Sequence, residues 1–227
     1  MTTRLFAVRH GESTSNVRGI ATSALEGYPL TARGRRQAAA VGRDLAGRGV
    51  ERVYASRIQR ARQTGRIVAD ALAAPLAVVP GLEEIDVGVL EGRCDGDVQT
   101  AAVVNFERWL GQDDLDHGFD GGETAREAAA RGAAALADLA ARHTGGTLAV
   151  VSHGGVLALS LIHLCHNVSS RFVRSHLLDN CAVVEVTVTG DEWTCHAWAG
   201  TRPATPVREA GVGHQSSGRA HDGARGA

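Results

Sequence analysis

The sequence contains no lysine; all 24 of its basic residues are arginine. That absence removes Schiff-base chemistry and the P-loop, both of which need a lysine ammonium. Aromatic residues are scarce at 4%, and methionine occurs once. The four cysteines, at 94, 165, 181 and 195, form no CxxC pair. In a chain of 227 residues such sparse thiols build neither a disulfide scaffold nor a zinc ribbon. An excess of one charge is also missing, because the formal net charge is -1. The chain therefore has no electrostatic footprint for nucleic acid or an anionic membrane. Only four apolar residues run together near the start, Leu5 to Val8, so no secretion signal is expected. No apolar run approaches the roughly 18 residues of a membrane span. These absences predict a cytoplasmic protein with free thiols.

What is present is strand and helix in alternation. Apolar strand-like runs occur at Leu5–Val8, Val50–Ser56, Ala77–Pro80, Thr147–Val151, Cys181–Thr189 and Trp193–Trp198. Between them, Thr31 is placed to cap a helix reaching about Arg48, and a second helix spans Gln59 to Leu72. Thr124 with Glu127 forms a capping-box pattern before an Ala-rich helix ending near Arg142. Val156 to Cys165 is apolar nearly all round, which predicts a buried helix. The alternation predicts an α/β layered fold with a largely parallel sheet. Gly190-Asp191-Glu192 separates the last two strands closely enough for a hairpin, hence a mixed sheet with an antiparallel edge. One domain is expected over residues 1–203. Its polar, irregular stretch at 92–122, with a short helix around Phe106–Leu110, is expected to cover the site. Residues 204–227, rich in Pro, Gly, Ser, His and Arg, read as a disordered tail.

Ligands of an open α/β sheet bind beyond the carboxyl ends of its strands. There the sequence places Arg9 and His10, then Arg57, Arg60 and Arg62, then Glu83 and Glu84, then Ser152 and His153 followed by two glycines. Taken singly, each has a plain structural reading: a hydrogen-bonded histidine, or a solvated helix face for Arg57, Arg60, Arg62 and Arg66. Taken together, two imidazoles, several guanidiniums and a carboxylate on one rim describe a dianion site with candidates for a nucleophile and a proton donor. Adjacency does not distinguish Glu83 from Glu84.

Six segments in order carry a family resemblance. They are RHGES at 9–13, PLT at 29–31 with Gly34 to Ala38, SRIQRARQT at 56–64, EEIDVGVLEG at 83–92, GGET at 121–124 and VVSHGGV at 150–156. Residues 4–160 thereby resemble the histidine phosphatase superfamily, also called the phosphoglycerate mutase-like family. The resemblance implies a three-layer α/β/α fold. It implies His10 as a nucleophile that forms a phosphohistidine, and Arg9, Arg60 and His153 as phosphate-binding groups. Glu84 matches the proton donor, and Asn16 and Ser13 match positions lining the phosphate pocket. The implied partner is a small-molecule phosphate ester, with no metal and no cofactor; a homodimer stays open.

Several rival readings have their own residues. Cys165 to Arg171 satisfies the C-x5-R spacing of cysteine phosphatases, but Cys165 ends an apolar helix and the loop lacks glycine. Ten histidines suggest a metal, yet there is no HExxH or HxH; His163 and His166 lack a further ligand, and His214 and His221 fall in the tail. A catalytically silent binding protein would have lost the nucleophile or the proton donor, and both positions are filled. A mutase would carry a long basic and aromatic insertion after Gly92. Here that stretch is short and acidic, with Asp95, Asp97, Asp113, Asp114 and Asp116. Hydrolysis of a phosphomonoester is therefore expected. The acidic cover predicts a neutral or cationic alcohol, such as a sugar, polyol or amino-sugar phosphate. Where the family often has Gly-aromatic-Trp-Glu-Gly, this chain has Gly88-Val-Leu-Glu91-Gly92, which alters the expected acceptor pocket.

Overall fold

The computed structural model describes residues 1–203. The expected tail at 204–227, with His214 and His221, lies outside the described residues. Six strands form one sheet: β1 (Thr2–Arg9), β2 (Arg52–Ala55), β3 (Leu76–Val78), β4 (Thr147–Ser152), β5 (Val183–Thr189) and β6 (Glu192–Trp198). Their order is β3-β2-β4-β1-β5-β6. The pairs β1–β4, β2–β4 and β2–β3 are parallel, and β5 and β6 add an antiparallel edge. The helices are α1 (Thr14–Arg18), α2 (Ala32–Leu45), α3 (Gln59–Leu72), α4 (Gly96–Gly111), α5 (Ala125–Arg142), α6 (Gly154–Leu164) and α7 (Ser170–Arg174).

The three layers follow from the period-2 geometry of the strands. Phe6 and Val8 of β1, with Ala149 and Val151 of β4, pack against Val41 and Leu45 of α2 and Val68 of α3. Leu5 and Ala7, with Leu148 and Val150, face the other way, into Leu136 and Leu139 of α5 and Leu157 and Leu161 of α6. The central strands are buried on both sides, which is why they read as continuous apolar runs. Beyond them β5 alternates: Val184, Val186 and Val188 are buried, while Glu185 on its other face pairs with Arg4 and Arg48.

Local signals set most element ends. The Thr31 side chain accepts from the Gly34 amide at the start of α2. Thr124 and Glu127 complete the reciprocal capping box of α5. Helix α2 stops at Leu45, short of Arg48, because Gly47 and Gly49 turn the chain through left-handed backbone, with φ of 74° and 76°. The expected short helix at Phe106–Leu110 is instead the 16-residue α4. The Asp95 side chain caps it from the Asp97 amide. Val98, Asn105 and Trp109 are buried along one side, while Val103 and Val104 on the other are exposed. The run Ala101–Val104 is apolar, but Val103 and Val104 are exposed, so the sequence does not show which positions the helix buries.

One backbone contact ties the end of β1 to α2. A Cβ on Gly34 would lie 2.0 Å from the Glu12 carbonyl oxygen, and one on Gly11 would lie 2.5 Å from that of Gly34. No rotamer change relieves a clash with main chain. Gly34→Ala is therefore expected to lower unfolding free energy by about 1–3 kcal/mol, measured by urea denaturation. An unchanged midpoint would show that this turn yields freely.

Candidate active site

The sheet register sets the centre of the site. Arg9 of β1 lies opposite Ser152 of β4, so the next residues, His10 and His153, leave the sheet side by side. Their ring centroids are 5.0 Å apart, and both are buried. His10 Nδ1 lies 2.7 Å from the Gly11 carbonyl. A carbonyl only accepts, so Nδ1 carries the proton and Nε2 keeps its lone pair. Arg60, in the first turn of α3, donates from Nε to that Nε2 at 3.1 Å and from Nη2 to the Thr22 carbonyl at 3.1 Å. Arg9 donates to the Leu178 carbonyl. His153 Nε2 pairs with Ser56 Oγ at 3.0 Å.

Three buried nitrogens in this group have no hydrogen-bond partner among the described residues: Arg9 Nε, Arg60 Nη1 and His153 Nδ1. An unsatisfied buried polar group costs about 1–3 kcal/mol, more when charged. Three at one point form an arrangement that an oxyanion would relieve. Burial holds His10 well below the ordinary imidazole range, and the Arg60 and Arg9 charges add to it, against an opposing hydrogen bond to Gly11. Burial, then Arg60, His10, Arg9 and Arg131, lower His153 in the same way. Both rings are thus neutral near pH 7, and His10 presents a free-base nitrogen between two cations.

The carboxylates divide cleanly. Glu84 lies over the N-terminus of α6, accepting from the Gly155 and Val156 amides at 3.2 and 3.0 Å. A Cβ on Gly155 would stand 2.7 Å from Glu84 Oε1, so the glycine makes room for it. Glu83 points elsewhere, bound to Arg57 at 2.6 Å and to the Gly81 amide at 2.8 Å. Burial would raise its carboxyl, but these bonds and the Arg57 charge hold it below the usual range. Adjacency left the choice open; tertiary contacts put Glu84 at the cavity. Of the four arginines expected near α3, only Arg60 is buried. Arg57, Arg62 and Arg66 pair with Glu83, Glu26 and Asp70.

A cavity of about 240 Å³ opens here, lined at one end by Arg9, His10, Asn16, Arg60 and Glu84. Asn16 belongs to it, although its Oδ1 also accepts from the Ser13 amide and from Asn180. Ser13 does not line it: fully buried, it caps α1 and bonds Ser15 Oγ at 2.8 Å. Ser15 takes the place on the wall. The far end is formed by α4 and its flanks, including Leu90, Phe106, Trp109 and Phe119. None of the five aspartates of the insertion lines the cavity. Arg93 holds Asp95 and Asp97, Arg108 holds Asp114, and Arg126 holds Asp116. The expected acidic cover is an outward, neutralised surface.

Supporting residues carried weaker signals. Arg131 of α5 donates to the Gly81 and Glu83 carbonyls and grips Glu123 of the GGET segment, which fixes the stretch carrying Glu84. Glu91 accepts from Thr22 Oγ1 and the Ser23 amide, anchoring the loop whose carbonyl receives Arg60. Nothing in Thr22 itself marks it as a partner, since its backbone does the work. Cys165 is buried at the end of α6, and burial pushes its thiol far up. It offers no thiolate. Among the described residues no three His, Cys, Asp or Glu side chains group as metal ligands. No helix there is long and apolar enough to cross a membrane.

Fold and site together describe an α/β protein that presents a neutral imidazole and two desolvated guanidiniums at one cavity. The family model for the histidine phosphatase superfamily (branch 1) matches residues 5–201. The chain belongs to that superfamily. It is 32% identical over 198 residues to a probable phosphoglycerate mutase of Enterobacter sp. (strain 638), covering 86% of this chain and 89% of the relative. A putative alpha-ribazole-5'-P phosphatase from Escherichia coli superposes with a TM-score of 0.70 at 27% identity, over 86% of this chain and 95% of the other. A mycobacterial glucosyl-3-phosphoglycerate phosphatase shares the fold, with a TM-score of 0.75 at 23% identity over 87% and 99% of the two chains.

The electrostatics set a titration outcome. An ordinary histidine titrates near pH ~6.5, whereas His10 and His153 are expected to show no protonation step between about pH 6 and 8 in NMR ring-proton spectra. Their folded pKa lies below the unfolded one. The linked stability is therefore fully present above about pH 6.5 and is lost as pH falls below it. A step near pH 6.5 for either ring would contradict the neutral pair.

Proposed function

We propose that the protein hydrolyses a small phosphomonoester through a phosphohistidine on His10, without a metal. The observation that carries this reading is the meeting, in one cavity, of a lone pair on His10 Nε2, partnerless nitrogens on Arg9 and Arg60, and the Glu84 carboxyl. The phosphoryl oxygens would take the bonds that Arg9 Nε and Arg60 Nη1 lack. Guanidiniums suit this because they bind two oxygens at once and hold their charge. His10 Nε2 attacks phosphorus, the ester P–O bond breaks, and Glu84 in its acid form gives its proton to the leaving oxygen. Glu84 then takes a proton from water as that water attacks the phosphohistidine. Inorganic phosphate leaves and His10 returns neutral. The hydrogen bond from Nδ1 to the Gly11 carbonyl offsets the positive charge that the ring acquires on phosphorylation. The arginines stabilise the spread charge on the transferring group, which is the task a metal performs elsewhere.

Hydrolysis is favoured over mutase action by the charge pattern of the cavity. A mutase must hold a second anionic group while phosphate moves between positions. Among the described residues, the cations lining this cavity are Arg9 and Arg60, both at the His10 end. The relative's name as a probable mutase keeps phosphoryl shift as the second reading.

Phosphate release from a panel of phosphomonoesters tests the proposal. His10→Ala is expected to abolish turnover and the acid-labile label left on protein by a radiolabelled substrate. Glu84→Gln is expected to slow turnover by about 10²–10⁴-fold. Chelator should leave the rate unchanged. Release by His10→Ala at the parent rate would overturn the assignment, and transfer of label between substrate positions without release would favour the mutase.

A further inference from the structure

We propose that the leaving group of the substrate is an uncharged, mainly apolar alcohol. This rests on the phosphomonoester reading and goes beyond it, replacing the polar sugar or polyol that the acidic insertion suggested. The argument is where the charge and the hydrogen-bonding capacity of the cavity lie. Among the described residues its charged lining residues are Arg9, Arg60 and Glu84, all of which the proposed reaction assigns to the phosphoryl group or the leaving oxygen. Beyond them, Val98, Ala102, Phe106 and Trp109 line it from α4. Their spacing of four, four and three residues makes one helical stripe. Leu90 and Phe119 add to this apolar lining. Phe106 and Phe119 both pack on Trp109, with centroids 5.5 and 5.8 Å away.

Apart from Asn16 at the His10 end, the polar side chains of the wall are already hydrogen-bonded. Trp109 Nε1 donates to the His117 carbonyl at 2.9 Å, Thr22 Oγ1 to Glu91 at 2.5 Å, and Ser15 Oγ shares a hydrogen bond with Ser13 at 2.8 Å. A sugar hydroxyl entering this end would leave its water partners and find few replacements, losing about tenfold in affinity or more per group. A carboxylate or second phosphate would fare worse, because the nearby insertion arginines are held outside the cavity by Asp95, Asp97 and Asp114. An apolar group loses nothing there and gains from leaving water. Helix α4 thus acts as the specificity wall.

The test compares kcat/KM for benzyl phosphate, butyl phosphate, glycerol 3-phosphate and 3-phosphoglycerate. All four are esters of primary alcohols, so leaving-oxygen basicity is closely matched. The apolar pair should exceed glycerol 3-phosphate by about 30-fold or more, since even one methylene in a fitted pocket is worth ~10-fold or more, and 3-phosphoglycerate should be poorest. Ala102→Arg sets a guanidinium into the wall. It should raise the 3-phosphoglycerate to benzyl phosphate ratio about tenfold or more, by pairing the carboxylate. Phe106→Ser should lower the benzyl to glycerol ratio about tenfold, and it reports on the same wall if Ala102→Arg does not fold. Turnover with equal or inverted preference would overturn the apolar assignment while leaving the phosphatase reading intact. Release from none of the four esters would instead overturn the phosphatase reading, and this inference with it.

Discussion

The parallel pairing of β1 with β4 is the constraint on which the site depends. A parallel ladder puts the carboxyl ends of both strands on the same edge. The register of Arg9 opposite Ser152 then leaves the following histidines adjacent as the chain departs the sheet. Buried together beside two guanidiniums, neither ring takes up a second proton easily. The strand end that begins as packing therefore finishes as chemistry. Phe6 and Val8 are gripped by α2 and α3, and that grip fixes where His10 stands to within the play of a close-packed core.

The surrounding contacts serve the same geometry from several directions. Arg60 is held by the Thr22 carbonyl as well as by His10, and the Thr22 loop is tied to Glu91. Glu84 is placed by amides at the start of α6, while Arg131 and Arg57, both bonded to Glu83, secure the chain just before it. Burying arginine nitrogens without partners is costly in the free protein. Burial lowers the pKa of both Arg9 and Arg60, and the Glu84 charge opposes the loss. Preorganised, desolvated donors of this kind need little rearrangement to meet an anion, which is how electrostatic catalysis gains its strength.

The insertion shows how composition misleads about a surface. Five aspartates within a short stretch read as an acidic lid. In the folded chain four are bound to arginines of the same stretch or of α5, and the cavity meets the aromatic and aliphatic side of α4 instead. Those pairs are exposed, so each adds little to stability. Their effect is to keep charge of both signs off the wall. The segment has little sequence signature because its apolar run, Ala101–Val104, includes exposed valines, so composition does not mark the buried side.

Much of this protein is legible without coordinates. The central strands are buried on both faces and so appear as apolar runs. The helix starts at Thr31 and Thr124 are local capping chemistry, and the ordered segments from Arg9 to Val156 identify the family. Adjacency alone does not separate Glu83 from Glu84; the family match points to Glu84, and only the fold shows Glu83 turned to Arg57 while Glu84 meets the cavity. The displacement of Ser13 by Ser15 on the cavity wall was not legible, since it turns on the capping of α1. Hydrophobic period, capping and motif are properties of residues close in the chain, and the sequence by itself determines them. Which side chains share a cavity, which nitrogens are left without partners and which charges cancel depend on contacts between residues far apart in sequence. Only the packing of the whole fold brings those together.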